Sequence, residues 1–560
     1  KNRLDECTAK IGCRNQRKPK IKGGLLMCGG DDKLDYRSAW ESDPDSYPAA
    51  KEPAPGRVTR GGVTREMAVG KTLFDYADEM AMQVPTSCGR TGHCHECVVE
   101  VRKGNEALNE KTEAEVFLRG DYRLACQAVV ENLDLDVEFV PLRRTPKILT
   151  TTQDKAVELD PLYTRRGDGV YRGDEQIDGF RGHVYGLAID LGTTTVVLEL
   201  VDLETGAGVQ LRSFENPQRF GGSDVMNRIS YDGEFPGELR RSLVKALNHE
   251  IMDICRSLDF ARQEIYEIVV AGNSTMRDII FKLDVQGIGQ KPYKSVIENE
   301  FVAGDRTTTA LVEKTRRLGL RANPKATVYS LPLIASHVGA DVAADMVAVE
   351  IDRTDETVML VDVGTNTEVV VVHQGRLMAA SCPAGPAFEG GEIQYGMPGH
   401  EGAIESIRMV DGGFDWRTIG DVDPEGICGS GLIDLLAELL KNDRMSAKGV
   451  FADRQDEFSI APDQGISFSR QDASNLAQAK AANYCGQFIV LRAMGISPTD
   501  LDKLYLAGGF ANYVDVENAV DIGFLAPAKL ENIVKVGNAS VQGAREVLLS
   551  RQKRTQIEAL

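Results

Sequence analysis

Hydrophobic positions fall in short runs along most of this chain, and two of the runs share one pattern. Leu187 to Val201 reads LAIDLGTTTVVLELV: an apolar run ends at Asp190, a turn follows through Gly192, Thr193, Thr194 and Thr195, and a second apolar run begins. Such a pattern predicts two strands joined by a tight loop. Met359 to Val372, MLVDVGTNTEVVVV, repeats it with Asp362, Gly364, Thr365, Asn366 and Thr367. Two further runs, EIVVAGN from Glu267 and KLYLAGGF from Lys503, read as buried strands ending in Ala-Gly, one downstream of each copy. Helical spacing predicts a helix over Leu239–Leu258, an amphipathic one over Asn475–Met494, and a shorter one over Thr72–Met82 with Leu73, Phe74, Ala77 and Met80 on one face. The order of elements predicts a duplicated α/β unit.

The repeated loop carries a chemistry. Gly192 lets the backbone approach a ligand, and threonine hydroxyls with neighbouring amides can hold phosphate oxygens. Asp190 at a strand end could hold a hydrated magnesium ion. One such loop would read as an ordinary hairpin; two copies point to a nucleotide between two halves. GICGSGLIDLL, Gly426 to Leu436, places Cys428 in a Gly-rich turn before a helix, which suits anion binding or simple close packing equally.

Composition divides the chain further. The first sixty residues are basic and then Asp-, Ser- and Pro-rich, and read as a mobile extension that holds Cys7, Cys13 and Cys28. Residues 61–141 read as a compact unit, 142–182 as a polar Gly-rich linker, 183–350 as the first half of the duplicated unit and 351–560 as the second. A net charge of −19 argues against nucleic acid as a main partner. No apolar run reaches a membrane span, and with 42% hydrophobic and 27% charged residues the chain is expected to be soluble and cytoplasmic.

Eleven cysteines are spread unlike a secreted disulfide framework. Cys88, Cys94, Cys97 and Cys126 give C-x5-C-x2-C-x28-C, three thiols in a loop with Gly89 and Gly92 and one distant. That spacing suits an iron–sulfur cluster; the competing reading is a structural zinc, although zinc ribbons usually pair two C-x2-C units. His93 and His95 are expected to be solvated loop residues, and Cys255, Cys382, Cys428 and Cys485 receive no role.

The spacing resembles 2Fe–2S ferredoxins of the adrenodoxin and putidaredoxin type. The two D-x-G-T loops with LAGGF resemble the actin, sugar-kinase and heat-shock-chaperone superfamily. The fusion of the two, with NPQRFGGSDVMNRI, AGNSTM, VGADV, AGPAFEG, GICGSGLID and AGGFANY, resembles the reductive activators of corrinoid proteins from about residue 61 to about 545. The resemblance implies a β-grasp ferredoxin-like domain followed by a duplicated actin-like (ribonuclease H-like) ATPase. It implies an ATP-hydrolysing iron–sulfur enzyme that passes one electron to cob(II)alamin and restores the methyl-accepting Co(I) state. By motif, Asp190, Gly192, Thr193, Thr194 and Thr195 would hold phosphates and Mg²⁺ from one side. Asp362, Gly364, Thr365 and Asn366 would do so from the other, and Gly508, Gly509 and Phe510 would lie against adenosine. Cys88, Cys94, Cys97 and Cys126 would ligate the cluster. Implied partners are a corrinoid protein of a methyltransferase system, a low-potential electron donor and a second copy in a homodimer. A small-molecule kinase with a fused ferredoxin domain, an ATP-driven reductase of another acceptor such as a dehydratase, and an ATP-gated scaffold or redox sensor remain alternatives.

Overall fold

The computed structural model describes residues 56–142 and 157–560, apart from 61, 62, 453, 454 and 510, and a backbone pairing of Gln16–Arg17 with Met27–Cys28. The expected mobile extension, with Cys7, Cys13 and the Cys28 side chain, lies almost wholly outside the described residues.

The first unit is a five-stranded sheet of β1 (Arg57–Arg60), β2 (Val63–Glu66), β3 (Val98–Lys103), β4 (Tyr122–Leu124) and β5 (Val137–Pro141), in the order 2-1-5-3-4. Helix α1 (Leu73–Glu79) lies against it and buries Leu73, Phe74, Tyr76 and Ala77. Thr72 starts that helix through a capping box: its hydroxyl accepts from the Asp75 amide and the Asp75 carboxylate accepts from the Thr72 amide.

Of the expected linker, 142–182, the described residues from 157 on form structure of their own. Tyr163–Arg166, Gly169–Arg172 and Glu175–Gly179 form β6, β7 and β8 of an antiparallel sheet. The stretch reads as polar because each strand buries one large apolar side chain, Tyr163, Val170 and Ile177, with Leu162 and Phe180 packed beside them; hairpin turns at Gly167 and Gly173 supply glycines.

Two lobes follow with one topology. In the first, β9 (Tyr185–Leu191), β10 (Thr195–Asp202) and β11 (Gly208–Glu215) form an antiparallel meander. Helices α2 (Val225–Glu234) and α3 (Glu238–Ser257) lead to β12 (Ile265–Gly272), which pairs parallel to β9. Strands β13 (Leu311–Lys314) and β14 (Thr327–Ser330) give the order 11-10-9-12-14-13, and α4 (Ala340–Val349) closes the lobe. In the second, β15 (Val358–Val363), β16 (Thr367–His373) and β17 (Arg376–Cys382) repeat the meander. Helices α5 (Gly429–Lys441) and α6 (Arg470–Met494) precede β18 (Lys503–Ala507), parallel to β15, and β19 (Ile533–Gly537), in the order 17-16-15-18-19. The expected actin-like duplication is therefore present: the order 11-10-9-12-14 matches 17-16-15-18-19, and the first lobe adds β13 at its edge.

Two expectations need correction. Helix α6 begins five residues earlier than its apolar spacing indicates, because Ser469 and Asp472 cap it reciprocally. It is also not cleanly amphipathic. Buried Asn483 and Gln487 hold the Phe524 carbonyl, while Phe488 and Ile489 are exposed. The end of the chain, expected with the second lobe, returns to the first: α7 (Ala539–Leu549) packs on α4, β9 and β12. Gly543 permits that approach, since a side-chain carbon there would lie 1.8 Å from the Ala344 carbonyl oxygen.

Candidate active site

Both Asp-Gly-Thr loops and both Ala-Gly strand ends open on one cleft between the lobes, of about 160 Å³. The glycines are explained by backbone crowding. A side-chain carbon at Gly192 would meet Thr195 O at 2.5 Å, and one at Gly508 would meet Val363 O at 2.2 Å. Gly364 is less constrained, its nearest such neighbour being Asn366 O at 3.5 Å. The structure brings Asp190, Gly192, Thr193, Thr194, Thr195, Asp362, Gly364, Thr365, Asn366, Gly508 and Gly509 to the lining of this cleft; Phe510 lies outside the described residues.

The two loops meet. Thr194 Oγ1 lies 3.0 Å from Thr365 Oγ1 and donates to Glu389 Oε2 at 2.9 Å, and Thr365 donates to the same oxygen. Asn273 donates to Thr193 Oγ1 at 2.9 Å, and Asn538, at the start of α7, donates to Asp190 Oδ2 at 2.7 Å. Carboxylates crowd the floor. Burial, opposed by the Asn538 bond and reinforced by Asp362, Asp341 and Glu389, pushes Asp190 up to about 7. Burial also lifts Asp341 to about 7 and raises Asp345, Asp362, Glu368 and Glu389. This much desolvated negative charge suits a site completed by a cation. Among the described residues no three such side chains converge on one point, so an ion here would be held through water and phosphate oxygens.

The raised Asp190 carboxyl costs the empty protein stability. Unfolded, it ionises near its ordinary value; folded, it holds its proton to about 7, so its stabilising contribution is complete below the ordinary value and is lost as pH rises through that window. The Asp190→Asn protein is expected to melt higher than the parent at pH 8 without nucleotide, by on the order of 5 °C. The difference should shrink towards zero as the pH falls to 4, and calorimetry at several pH values measures it. An unchanged difference would remove the buried charge as its cause.

The four thiols gather beside α1. Cys94, Cys97 and Cys126 are buried and Cys88 is half-exposed. They are arranged in pairs. Cys97 Sγ lies 3.4 Å from Cys126 Sγ, and Cys88 is within hydrogen-bonding reach of Cys94. A Cys126–Cys97 hydrogen bond, with the Gln127 side chain and the Gly92 amide, lowers Cys126 to about 6. The Thr91 hydroxyl, with the Cys94 and Thr91 amides, lowers Cys88 to about 5. Two pairs of thiols, with amides aimed at the sulfurs, fit a binuclear cluster that takes two thiolates at each iron. A single tetrahedral zinc would instead draw four thiols evenly around one point. His93 is exposed, as expected; His95 is not solvated but stacks on Phe117 at 4.1 Å and bonds Glu238 at 3.0 Å.

Several cleft residues carry no signal of their own in the sequence. Asn273, Asp341 and Glu389 lie within AGNSTM, VGADV and AGPAFEG, but nothing in those stretches singles them out. Asn538 and Ser540 reach the cleft only because α7 crosses back. Of the two readings of the Cys428 turn, close packing is seen, and the turn also faces the cleft. Cys428, Gly429 and Ser430 line the cleft, and a side-chain carbon at Gly431 would lie 2.3 Å from Ile404 O.

Three family models match the chain in sequence. The 2Fe-2S iron-sulfur cluster binding domain matches residues 57–131. The RACo middle region matches 185–354, and the C-terminal domain of RACo, the ASKHA domain, matches 356–560. The chain is 32% identical over 397 residues to the corrinoid activation enzyme RamQ of Eubacterium limosum, covering 66% of this chain and 65% of that protein, just under two thirds of its length. It is 24% identical over 407 residues to the Co(II) methylated amine-specific corrinoid protein reductase of Methanosarcina barkeri, covering 66% and 71%. A solved reductive activator for corrinoid, iron-sulfur protein is 27% identical and matches 90% of this chain and 94% of its own, with a TM-score of 0.64.

Proposed function

Because this chain belongs to the family of reductive activators of corrinoid proteins, we propose that it performs ATP-dependent reductive activation. It would carry one electron from a low-potential donor to a corrinoid protein and convert Co(II) to the methyl-accepting Co(I). One observation carries this reading: a single chain holds four clustered thiols in a domain seated on the lobe that forms half of the cleft. A 2Fe–2S cluster held by Cys88, Cys94, Cys97 and Cys126 supplies one-electron chemistry when bound.

The chain's own residues divide the remaining work. Amides and hydroxyls of the loops at 192–195 and 364–367 hold ATP phosphates, and Asp190 and Asp362 orient a hydrated Mg²⁺. Glu389 accepts from a threonine of each loop. Phosphates drawing on the Thr194 and Thr365 hydroxyls would compete with Glu389 for them, and so change how the lobes meet. That differential contact is what a coupled uphill transfer requires, provided ATP and the corrinoid partner favour the same state.

A mixing experiment tests the reading. The protein is reduced anaerobically, mixed with a corrinoid protein held as Co(II), and followed by cobalt absorption with and without Mg-ATP. Co(I), or methyl-cobalt when a methyl donor and its methyltransferase are present, is expected only with ATP. ATP hydrolysis with no change in cobalt across several corrinoid partners would turn the search to another acceptor.

A further inference from the structure

The stretch from Asn216 to Tyr231 belongs to neither the nucleotide cleft's hydroxyl face nor the thiol loop, yet it touches both. One end grips the carbonyl side of the first phosphate loop. Asn216 donates from its side chain to Gly192 O at 2.8 Å and from its amide to Thr194 O at 2.7 Å. Arg228, fully buried, donates to Thr193 O at 2.7 Å. Three successive carbonyls are thus held from behind, leaving the opposite side of the loop to a ligand.

The other end grips the iron–sulfur domain. Arg219 donates to Glu100 at 2.8 Å, and Tyr231 donates to the Phe117 carbonyl at 2.5 Å. The Phe117 ring meets Phe220 edge-on at 5.9 Å and stacks on His95. His95 stands between Cys94 and Cys97 in the thiol loop. Lys245 of α3 completes this seat, reaching the Cys94 carbonyl and bonding Glu96 at 2.9 Å.

Between its two ends the stretch is stiff. Arg228 Nε donates to Gly222 O at 3.0 Å, and Phe220 meets Tyr231 edge-on at 5.5 Å. A side-chain carbon at Gly221 would lie 2.6 Å from Leu239, and one at Gly222 would lie 2.3 Å from the Asn227 Cβ. A close-packed piece bonded at both ends transmits a displacement rather than absorbing it.

We propose that Asn216–Tyr231 is the positioning element that ties the seat of the iron–sulfur domain to the occupancy of the first phosphate loop. Nucleotide held by the loop at 192–195 shifts the three gripped carbonyls, and the stretch carries that shift to Phe117 and His95. This rests on the ATP-dependent reading above. A chain of contacts alone does not establish coupling, so the test measures coupling directly and needs no corrinoid.

The full-length holoprotein, reduced anaerobically, is titrated with a non-hydrolysable Mg-ATP analogue. Binding is read by calorimetry, and the far end by hydrogen exchange over residues 93–97 and 117–119 together with the visible circular dichroism of the cluster. Nucleotide is expected to change exchange at those residues severalfold in the parent. Tyr231→Phe and Glu100→Ala cut the bonds at the far end and leave the Arg219–Glu215 bond and the cleft in place. Both should bind the analogue within about twofold of the parent and keep the cluster absorption, yet lose at least about two thirds of the nucleotide response. A parent that binds the analogue without any change at 93–97 and 117–119 overturns the coupling and leaves the activator reading standing. So does a full response in both variants. Failure of the analogue to bind would sink both readings, and the calorimetry identifies that case.

Discussion

In the Cys97→Ala protein the visible absorption of the iron–sulfur cluster vanishes, and electron transfer to any acceptor falls to background. Cys97 is the thiol the structure can least replace. It is 1% exposed, lies 3.4 Å from Cys126, and stands at the entry to β3 with the domain core behind it. Its loss leaves one iron of a binuclear site with a single thiolate. Among the described residues the other cysteines, Cys255, Cys382, Cys428 and Cys485, all lie in the two lobes. Binding of ATP, measured separately, should be preserved, since the cleft takes no residue from this domain. A holoprotein spectrum that survives the substitution would refute the ligand assignment. Cys88→Ser is the informative companion: at the half-exposed position a hydroxyl can stand in, and partial retention is expected.

The second large effect is the mirror of the first. Asp190→Ala should lower ATP turnover at least about a hundredfold while leaving the cluster spectrum unchanged. Asp190 ends β9 at the floor of the cleft, is fixed by Asn538, and faces Asp362 of the second lobe across the phosphate loops. The alanine removes the carboxylate that would orient the hydrated ion and leaves the Asn538 amide without its acceptor. Turnover measured at saturating Mg-ATP separates a catalytic loss from weakened binding. Turnover within a fewfold of the parent would refute the phosphate-loop reading, whatever the cluster does. Loss of the spectrum with Cys97→Ala and its retention with Asp190→Ala would show that the two centres are chemically separate, and that joint action depends on contacts between them.

Much of this architecture is legible in the sequence because it rests on repeats and on strict local rules. The D-x-G-T loops and Ala-Gly strand ends recur because a strand end must pass within contact distance of a neighbouring backbone, which only glycine allows at Gly508. The four cysteines are legible because ligation needs a fixed residue type at a fixed spacing. What stays hidden depends on chain crossings that carry no local pattern. Asn538 is an unremarkable helix cap until α7 places it on Asp190. His95 reads as a loop residue until Phe117 and Glu238 close on it. Residues 163–179 read as linker because each strand of their sheet buries one large apolar side chain.

The return of α7 to the first lobe also bears on how the protein is made. A ribosome delivers β9 and β12 long before it delivers Ala539–Leu549, the helix that covers them. Through synthesis of the whole second lobe, the apolar face around Ala188 and Val269 lacks its cover. Order of synthesis is therefore not order of completion, and the first lobe is the last to be sealed. A nascent chain of this length with such an open face is the kind that associates wrongly or engages a chaperone. The same crossing brings the start of α7 to the first phosphate loop, so a polypeptide without its last twenty-three residues lacks Asn538 and Ser540, two residues that line the nucleotide cleft.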